Sequence, residues 1–146
     1  MLLTFAVVLF LALAVIKPLQ KNVFFMLYFA LMLASAYGLQ YCGYHFAPFS
    51  KQSFLMFLPL HFLWINVVTF MAYGADKKAA KAGERRTPEM QLHLLEFLGG
   101  TPAAFVAQKV FRHKTKKQSY QMFFLFVLAL QIAIIYYVLK FLNFFD

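Results

Sequence analysis

Four long apolar runs cover most of the chain, at 1–16, 23–39, 54–73 and 120–142, with short polar breaks between them. A membrane-crossing helix needs about 20 predominantly apolar residues, with a range of ~17–25. The third and fourth runs meet that length. The first two are shorter, and snorkelling lysine stems with interfacial Tyr or Gln extend them. The first run has no basic stretch ahead of it and no small-residue cleavage site before Lys17-Pro18, so it predicts an uncleaved span rather than a signal peptide. Tyr41, Tyr44, Tyr73 and Tyr120 fall at or near span ends, where amphipathic rings prefer to sit, whereas Trp64 lies mid-span.

The polar segment 74–119 breaks the pattern. Its first part, to Arg86, is alanine-rich and basic and contains a turn signal at Gly83. Two short helix signatures follow in tandem. Thr87-Pro88-Glu89 offers an N-cap hydroxyl, a proline at the first helical position and a carboxylate that suits the helix dipole. The pattern is then helical from Met90 to Leu98 and stops at Gly99-Gly100. Thr101-Pro102 repeats the start signal, and a second helix is predicted to about Arg112. Each half is roughly 16 Å long at 1.5 Å per residue, half a bilayer.

Composition narrows the class. Apolar residues make up 63% of the 146 and charged ones 13%, with 20 Phe, eight Tyr and a mean hydropathy of +0.69. Soluble domains carry roughly 25% charged residues, and a chain this short has too little interior for so much hydrocarbon. A soluble enzyme, a soluble DNA-binding domain and a disordered chain are excluded on that ground. The single cysteine, Cys42, excludes an intrachain disulfide and a cysteine-based zinc cluster.

The net charge of +9, from 14 Lys and Arg against five Asp and Glu, reads first as an orientation signal. One continuous span through 87–112 puts the five cations of 77–86 and the five of 109–117 on opposite sides of the membrane. A helical hairpin that dips in and returns puts Lys17, Lys21 and both clusters, twelve charges, on one side against Lys51 and Lys140. The positive-inside rule selects the hairpin, with both termini outside and the basic loops cytoplasmic. Backbone broken at Gly99-Gly100 then needs protein or a water-filled cavity around it rather than lipid.

Candidate chemistry gathers in the same segment. Asn66, Thr69, Tyr73 and Lys77 share one helix face leading to Asp76 at the cytoplasmic mouth. In a hairpin turning near Gly100, Glu89 lies opposite Arg112 and His93 opposite Gln108. Glu96 faces Phe105 and finds no partner within the hairpin, which makes it either a functional carboxylate or one that reaches water. Lys77, Arg86, Arg112, His113, Lys114 and Lys117 are candidates to clamp an anionic group. His113, Glu89 and Asp76 are the candidates for acid–base work. The four His and Cys42 are too scattered for a metal site, and a proton relay has only His61 and Glu96 to draw on.

Residues 66–120 resemble the bacterial membrane family catalogued as domain of unknown function 1294. The stretches that carry the likeness are Asn66-Val67-Val68-Thr69-Phe70, Tyr73-Gly74-Ala75-Asp76-Lys77, Ala80, Arg86, Pro88-Glu89, Gly99-Gly100, Ala107-Gln108 and Arg112-His113-Lys114-Thr115-Lys116-Lys117-Gln118-Ser119-Tyr120. Together they cover a little over a third of the chain. The resemblance implies a membrane domain without an agreed activity. Some members carry an amino-terminal cold-shock domain. Two apolar spans hold that position here, so nucleic-acid binding is not implied. Ala103 stands where a third glycine is usual, and Glu96 where the family is usually apolar. The Arg112-His113 pair after a glycine turn is also similar to that of small membrane methyltransferases, although Lys114 replaces their proline.

The sequence thus predicts an all-α integral membrane protein with four transmembrane helices and a short re-entrant or interfacial hairpin between spans 3 and 4. Its two parts are residues 1–53, with two spans and a loop, and 54–146, the family-like membrane domain. The predicted location is the inner, cytoplasmic membrane. The leading function is binding of an anionic ligand (a lipid headgroup, a nucleotide or a protein partner) by the cytoplasmic basic hairpin. The alternatives are a small group-transfer enzyme with its site between hairpin and span 3, and an oligomeric transporter or channel component. The expected partners are the lipid bilayer, an anionic lipid or nucleotide, and a second copy of the chain. Neither a cofactor nor a metal is predicted.

Overall fold

In a computed structural model, residues 23–45, 51–112 and 117–141 are described, and among them the fold is all helical without a strand. The helices are α1 (Val23–Tyr41), α2 (Lys51–Ala82), α3 (Glu89–Leu95), α4 (Thr101–Phe111) and α5 (Gln118–Phe141), with a widened turn, Glu96–Gly100, joining α3 to α4. Among the described residues, three segments are long and apolar enough to cross a membrane: Val23–Tyr41, Leu55–Ala82 and Gln118–Lys140. The first predicted span, 1–16, lies outside the described residues.

Glycines end the first two helices by one device. After α1, Gly43 takes φ +90°, the Tyr44 N–H donates to the Leu39 carbonyl at 3.1 Å and the Gly43 N–H to the Gln40 carbonyl. After α2, Gly83 takes φ +70° and the Glu84 N–H donates to the Ala79 carbonyl at 3.0 Å. A left-handed residue here turns otherwise orphan carbonyls back onto backbone donors, and glycine adopts it without a Cβ clash. Helix α2 is longer than the apolar run within it. Its alanine-rich basic end continues as helix for nine residues past Tyr73, and it carries Pro59 in its interior.

The described residues fall into two compact units that divide between Val68 and Thr69. In the first, Phe25, Tyr28, Ala36, Ile65 and Val68 are buried. Polar contacts are few there: Tyr28 Oη meets His61 Nδ1 at 2.5 Å, and Trp64 Nε1 donates to Ser35 Oγ at 2.7 Å. Indole and imidazole groups at mid-span thereby find partners inside the unit, as buried polar groups must.

The second unit is built differently. Ala72, Tyr73, Leu92, Leu95, Ala104, Ala107, Tyr120, Phe124 and Val127 are buried, and six polar side chains are buried with them. The other face of α5 displays Met122, Leu125, Phe126, Ile132 and Ile135, an apolar surface of the kind that a bilayer covers. The turn between α3 and α4 depends on its glycines. Gly99 takes φ +119°, a conformation that disfavours any side chain. Gly100 is buried so tightly that a Cβ would lie 2.0 Å from Thr69 Oγ1 and 2.8 Å from the Leu95 carbonyl. The double glycine is therefore both a backbone bend and the point where this turn comes up against α2.

Helix starts differ from the sequence prediction in an instructive way. Pro88, not Thr87, occupies the N-cap of α3, and no side chain caps it. The Thr87 N–H is instead bound by the Asp76 carboxylate. At α4 the N-cap is Gly100, and the Thr101 hydroxyl donates back to the Glu96 carbonyl at 3.0 Å. Both threonine-proline pairs do mark helix starts, but their polar groups serve tertiary contacts.

Candidate functional site

Glu96 is the first residue of the widened turn and is completely buried. Three elements supply its partners. From α2, Tyr73 Oη donates to Glu96 Oε1, and from α5, Tyr120 Oη donates to the same oxygen at 2.9 Å. The two phenol oxygens lie 2.5 Å apart. From α3, His93 Nδ1 lies 2.7 Å from Glu96 Oε2, with the imidazole stacked on the Tyr120 ring at a centroid distance of 4.1 Å. Helix α4 adds an outer link: Gln108 Nε2 donates to Tyr73 Oη at 3.4 Å, and Gln121 Nε2 of α5 donates to Gln108 Oε1 at 2.6 Å.

The main chain of Glu96 is held as well. Its carbonyl accepts from Thr101 Oγ1 and from Gln131 Nε2, and Gln131 Nε2 also reaches the Phe97 carbonyl at 2.9 Å. These bonds satisfy carbonyls that the turn frees from the helical ladder, a requirement wherever water is excluded. A carboxyl, an imidazole and two phenols in mutual contact are all groups that exchange protons. Among the described residues, no three His, Cys, Asp or Glu side chains converge as a metal set would.

A second group of contacts lies at the rim, where the basic clusters are. Asp76, fully buried near the end of α2, accepts from Arg86 Nη2 at 3.2 Å and from the Thr87 N–H at 3.1 Å. It thereby ties the loop after Gly83 back to α2. Glu89, at the start of α3, receives Lys117 Nζ at 2.8 Å on both carboxylate oxygens. The end of α2, the start of α3 and the start of α5 carry these two ion pairs. Phe111, the last residue of α4, packs its ring 5.1 Å from that of Phe70 and against Gly74.

Several sequence expectations are revised here. The structure gives Glu89 the partner Lys117, where the hairpin register predicts Arg112. It gives His93 the partner Glu96, where the register predicts Gln108. Glu96 is neither unpartnered nor in water: His93, inside the hairpin, meets its carboxyl, and α2 and α5 add groups that a hairpin considered alone omits. Tyr73 and Tyr120 are buried hydrogen-bond donors, not interfacial rings, whereas Tyr41 and Tyr44 are exposed. Of the anion-binding candidates, Arg86 and Lys117 hold carboxylates, Lys77 is half-buried and Arg112 is exposed. Arg112 also ends α4 in the left-handed region, at φ +46°. His113 and Lys114 lie outside the described residues. Asn66 donates to the Phe62 carbonyl of its own helix at 2.7 Å, and His61 meets Tyr28.

The signal that leads to the cluster was partly visible. Tyr73 lies on the polar face of α2, four residues from both Thr69 and Lys77. No local pattern points from Glu96 to Tyr73 or Tyr120, which are 23 and 24 positions away.

Residues 66–120 match the family model described as "Protein of unknown function (DUF1294)". The matched region runs from the middle of α2 to Tyr120 and includes every side chain that touches the Glu96 carboxyl. The chain is also similar to the uncharacterized protein YsdA of Bacillus subtilis (strain 168), with 31% identity over 84 residues. That alignment covers 56% of this chain and 94% of YsdA. No solved structure matches it. By this match, and by the region it covers, the chain belongs to the DUF1294 family.

Proposed function

We propose that this is a four-span protein of the bacterial cytoplasmic membrane whose basic clusters form one anion-binding face on the cytoplasmic side. The observation that carries the reading is the Glu89–Lys117 contact. The residue that opens α3 is bonded to one that follows α4, 28 positions on. That contact supports a chain that enters at 89 and comes back to the same side by 117, which is the path a hairpin takes and a continuous span does not. Asp76 adds to it by holding Arg86 and Thr87 at the end of α2. Ten cations between Lys77 and Lys117 then accompany only Asp76, Glu84 and Glu89 on that face, with Glu96 buried away from them. A surplus of this kind at a membrane surface attracts phosphate-bearing headgroups, at about 1 kcal/mol per cation near the surface.

The group-transfer reading has less support, because the carboxylates of Asp76 and Glu89 are engaged by Arg86 and Lys117. The topology is tested with Cys42→Ser protein carrying a single new cysteine at Ala80 or Thr115, labelled in sealed vesicles by a membrane-impermeant maleimide. Labelling of both from the cytoplasmic side is expected, and labelling from opposite sides overturns the hairpin. Ligand binding is tested by native mass spectrometry from nanodiscs of phosphatidylglycerol against phosphatidylcholine. Preferential retention of phosphatidylglycerol, reduced in Arg112→Ala, is expected. Equal retention of the two lipids overturns the anionic face.

A further inference from the structure

Asp76, Glu89 and Glu96, three of the four acids described in this unit, are held in two ways. Asp76 and Glu89 each have a cation as a partner. Among the described residues, the Glu96 carboxyl has no Lys or Arg. It meets Tyr73 Oη from α2, His93 Nδ1 from α3 and Tyr120 Oη from α5. Helix α4 presents only the uncharged Gln108 and Thr101 to this cluster, and α5 adds the uncharged Gln121 and Gln131. Every described titratable group facing Glu96 is therefore one that can itself carry or pass a proton.

Interhelical adhesion does not require such a choice. Amide and hydroxyl side chains join membrane helices without placing an ionisable pair in a low-dielectric interior, and this unit already uses Gln108, Gln121, Thr101 and Gln131 for that purpose. An acid and an imidazole buried together carry a desolvation penalty of several kcal/mol per ion when charged. Intramembrane acids are accordingly functional groups by default. The geometry also suits proton movement: Oε2 and Nδ1 are 2.7 Å apart, and two phenol oxygens 2.5 Å from one another converge on Oε1. A proton crosses from Oε2 to Nδ1 with little displacement of heavy atoms.

We propose that Glu96, paired with His93 and bracketed by Tyr73 and Tyr120, is a proton-binding site within the membrane-spanning part of the protein, so that its activity includes uptake and release of H⁺. Uptake adds one proton from water to the carboxyl–imidazole pair and raises the charge of the cluster by one. Release returns that proton to water, and no electron or other bond is involved. The site stands independently of the anionic ligand, because none of the described cations at the rim takes part in it.

The test is pH-jump infrared difference spectroscopy of the full chain in lipid vesicles, over about pH 5 to 9, the range in which histidine-linked switches act. The wild type is expected to exchange a protonated-carboxyl band for a carboxylate band, with a tyrosine ring mode moving alongside. Glu96→Gln is expected to abolish both changes, and Tyr120→Phe to shift the carboxyl frequency, since one of two donors to Oε1 is lost. Only four other side-chain acids, Asp76, Glu84, Glu89 and Asp146, contribute to this spectral region, so a loss in Glu96→Gln is readily assigned. A wild-type spectrum without the tyrosine-coupled carboxyl change overturns the proposal. So does a Glu96→Gln protein of wild-type helicity that retains both changes. Should Glu96→Gln fail to fold, Tyr120→Phe decides: an unshifted carboxyl band overturns the site.

Discussion

The turn at Glu96–Gly100 and the rim around Asp76 and Glu89 contain the same chemistry, a carboxylate with its donors, under opposite conditions. At the rim, Lys117 and Glu89 are 54% and 40% exposed and Arg86 is 48% exposed, so water screens the ion pairs and each contributes little. At the turn, Glu96 and the side chains that meet its carboxyl, Tyr73, His93 and Tyr120, are all buried. The donors there are neutral hydroxyls and an imidazole, their positions fixed by packing of three helices. The difference shows what burial demands. An exposed acid can rely on a flexible cation, whereas a buried one needs every oxygen satisfied by a group whose own position is determined. The turn is therefore the part of the molecule where small geometric changes cost most.

The largest expected effect follows from the closest approach. Gly100→Ala places a methyl group 2.0 Å from Thr69 Oγ1 and 2.8 Å from the Leu95 carbonyl, so α2 and the turn must separate. Overpacking in a tight core costs ~1–3 kcal/mol, and the backbone obstacle puts this case at about 3 kcal/mol or above. Unfolding of the detergent-solubilised protein, followed by circular dichroism, measures it. Adding Thr69→Ala removes one of the two obstacles and is expected to restore part of the loss. Full restoration shows that the Leu95 carbonyl moves freely and that the turn is softer than its geometry implies.

At the rim, Asp76 is the exception that sharpens the contrast, since it is buried although its partner Arg86 is not. Asp76→Ala leaves the Thr87 N–H without its acceptor and is expected to cost about 2 kcal/mol, the desolvation of an unsatisfied donor. Asp76→Asn keeps a carbonyl oxygen for Thr87 and is expected to cost about half as much. Equal losses in the two variants assign the stability to the Arg86 ion pair and not to the backbone bond. Smaller again is Tyr73→Phe, which leaves Tyr120 as the single phenol on Oε1. Interhelical hydrogen bonds in membrane proteins average ~0.6 kcal/mol with a maximum near ~1.7, and about 1 kcal/mol is expected in the same unfolding assay.

Features that each element specifies by itself were legible in the sequence. The apolar runs at 23–39, 54–73 and 120–142 mark the three described helices long and apolar enough to cross a membrane, Gly83 ends α2, and Gly99-Gly100 marks the bend. Both threonine-proline pairs marked helix starts, although Thr87 and Thr101 direct their polar groups elsewhere than to their own caps. Contacts that join elements were not legible. A hairpin drawn from residues 87–112 alone pairs Glu89 with Arg112 and leaves Glu96 opposite Phe105. It contains no information about α2 and α5, whose Tyr73 and Tyr120 complete the cluster. Tyr73 and Tyr120 themselves resembled interfacial rings because they stand near span ends. Their burial follows from the neighbouring helices, not from depth in the bilayer.

The Glu89–Lys117 pair tests the comparison at its weakest interaction. Lys117 Nζ lies 2.8 Å from both carboxylate oxygens, a better geometry than that of the Asp76–Arg86 pair, yet both side chains are substantially solvated. Short distance and low energy coexist here because water competes for each partner and two long side chains lose rotamer freedom in holding one arrangement. A double-mutant cycle of Glu89→Gln and Lys117→Gln is therefore expected to give a coupling of no more than about 0.5 kcal/mol, falling further as salt is raised toward molar concentration. The same cycle between Tyr73→Phe and Gln108→Leu, inside the cluster, is expected to be insensitive to salt. A rim coupling that equals the cluster's and resists salt shows that the Glu89–Lys117 pair is shielded from water, as it is when a bilayer or a bound partner covers this face. Measuring the cycle in detergent and again in anionic vesicles separates those conditions, since only a covered rim strengthens from one to the other.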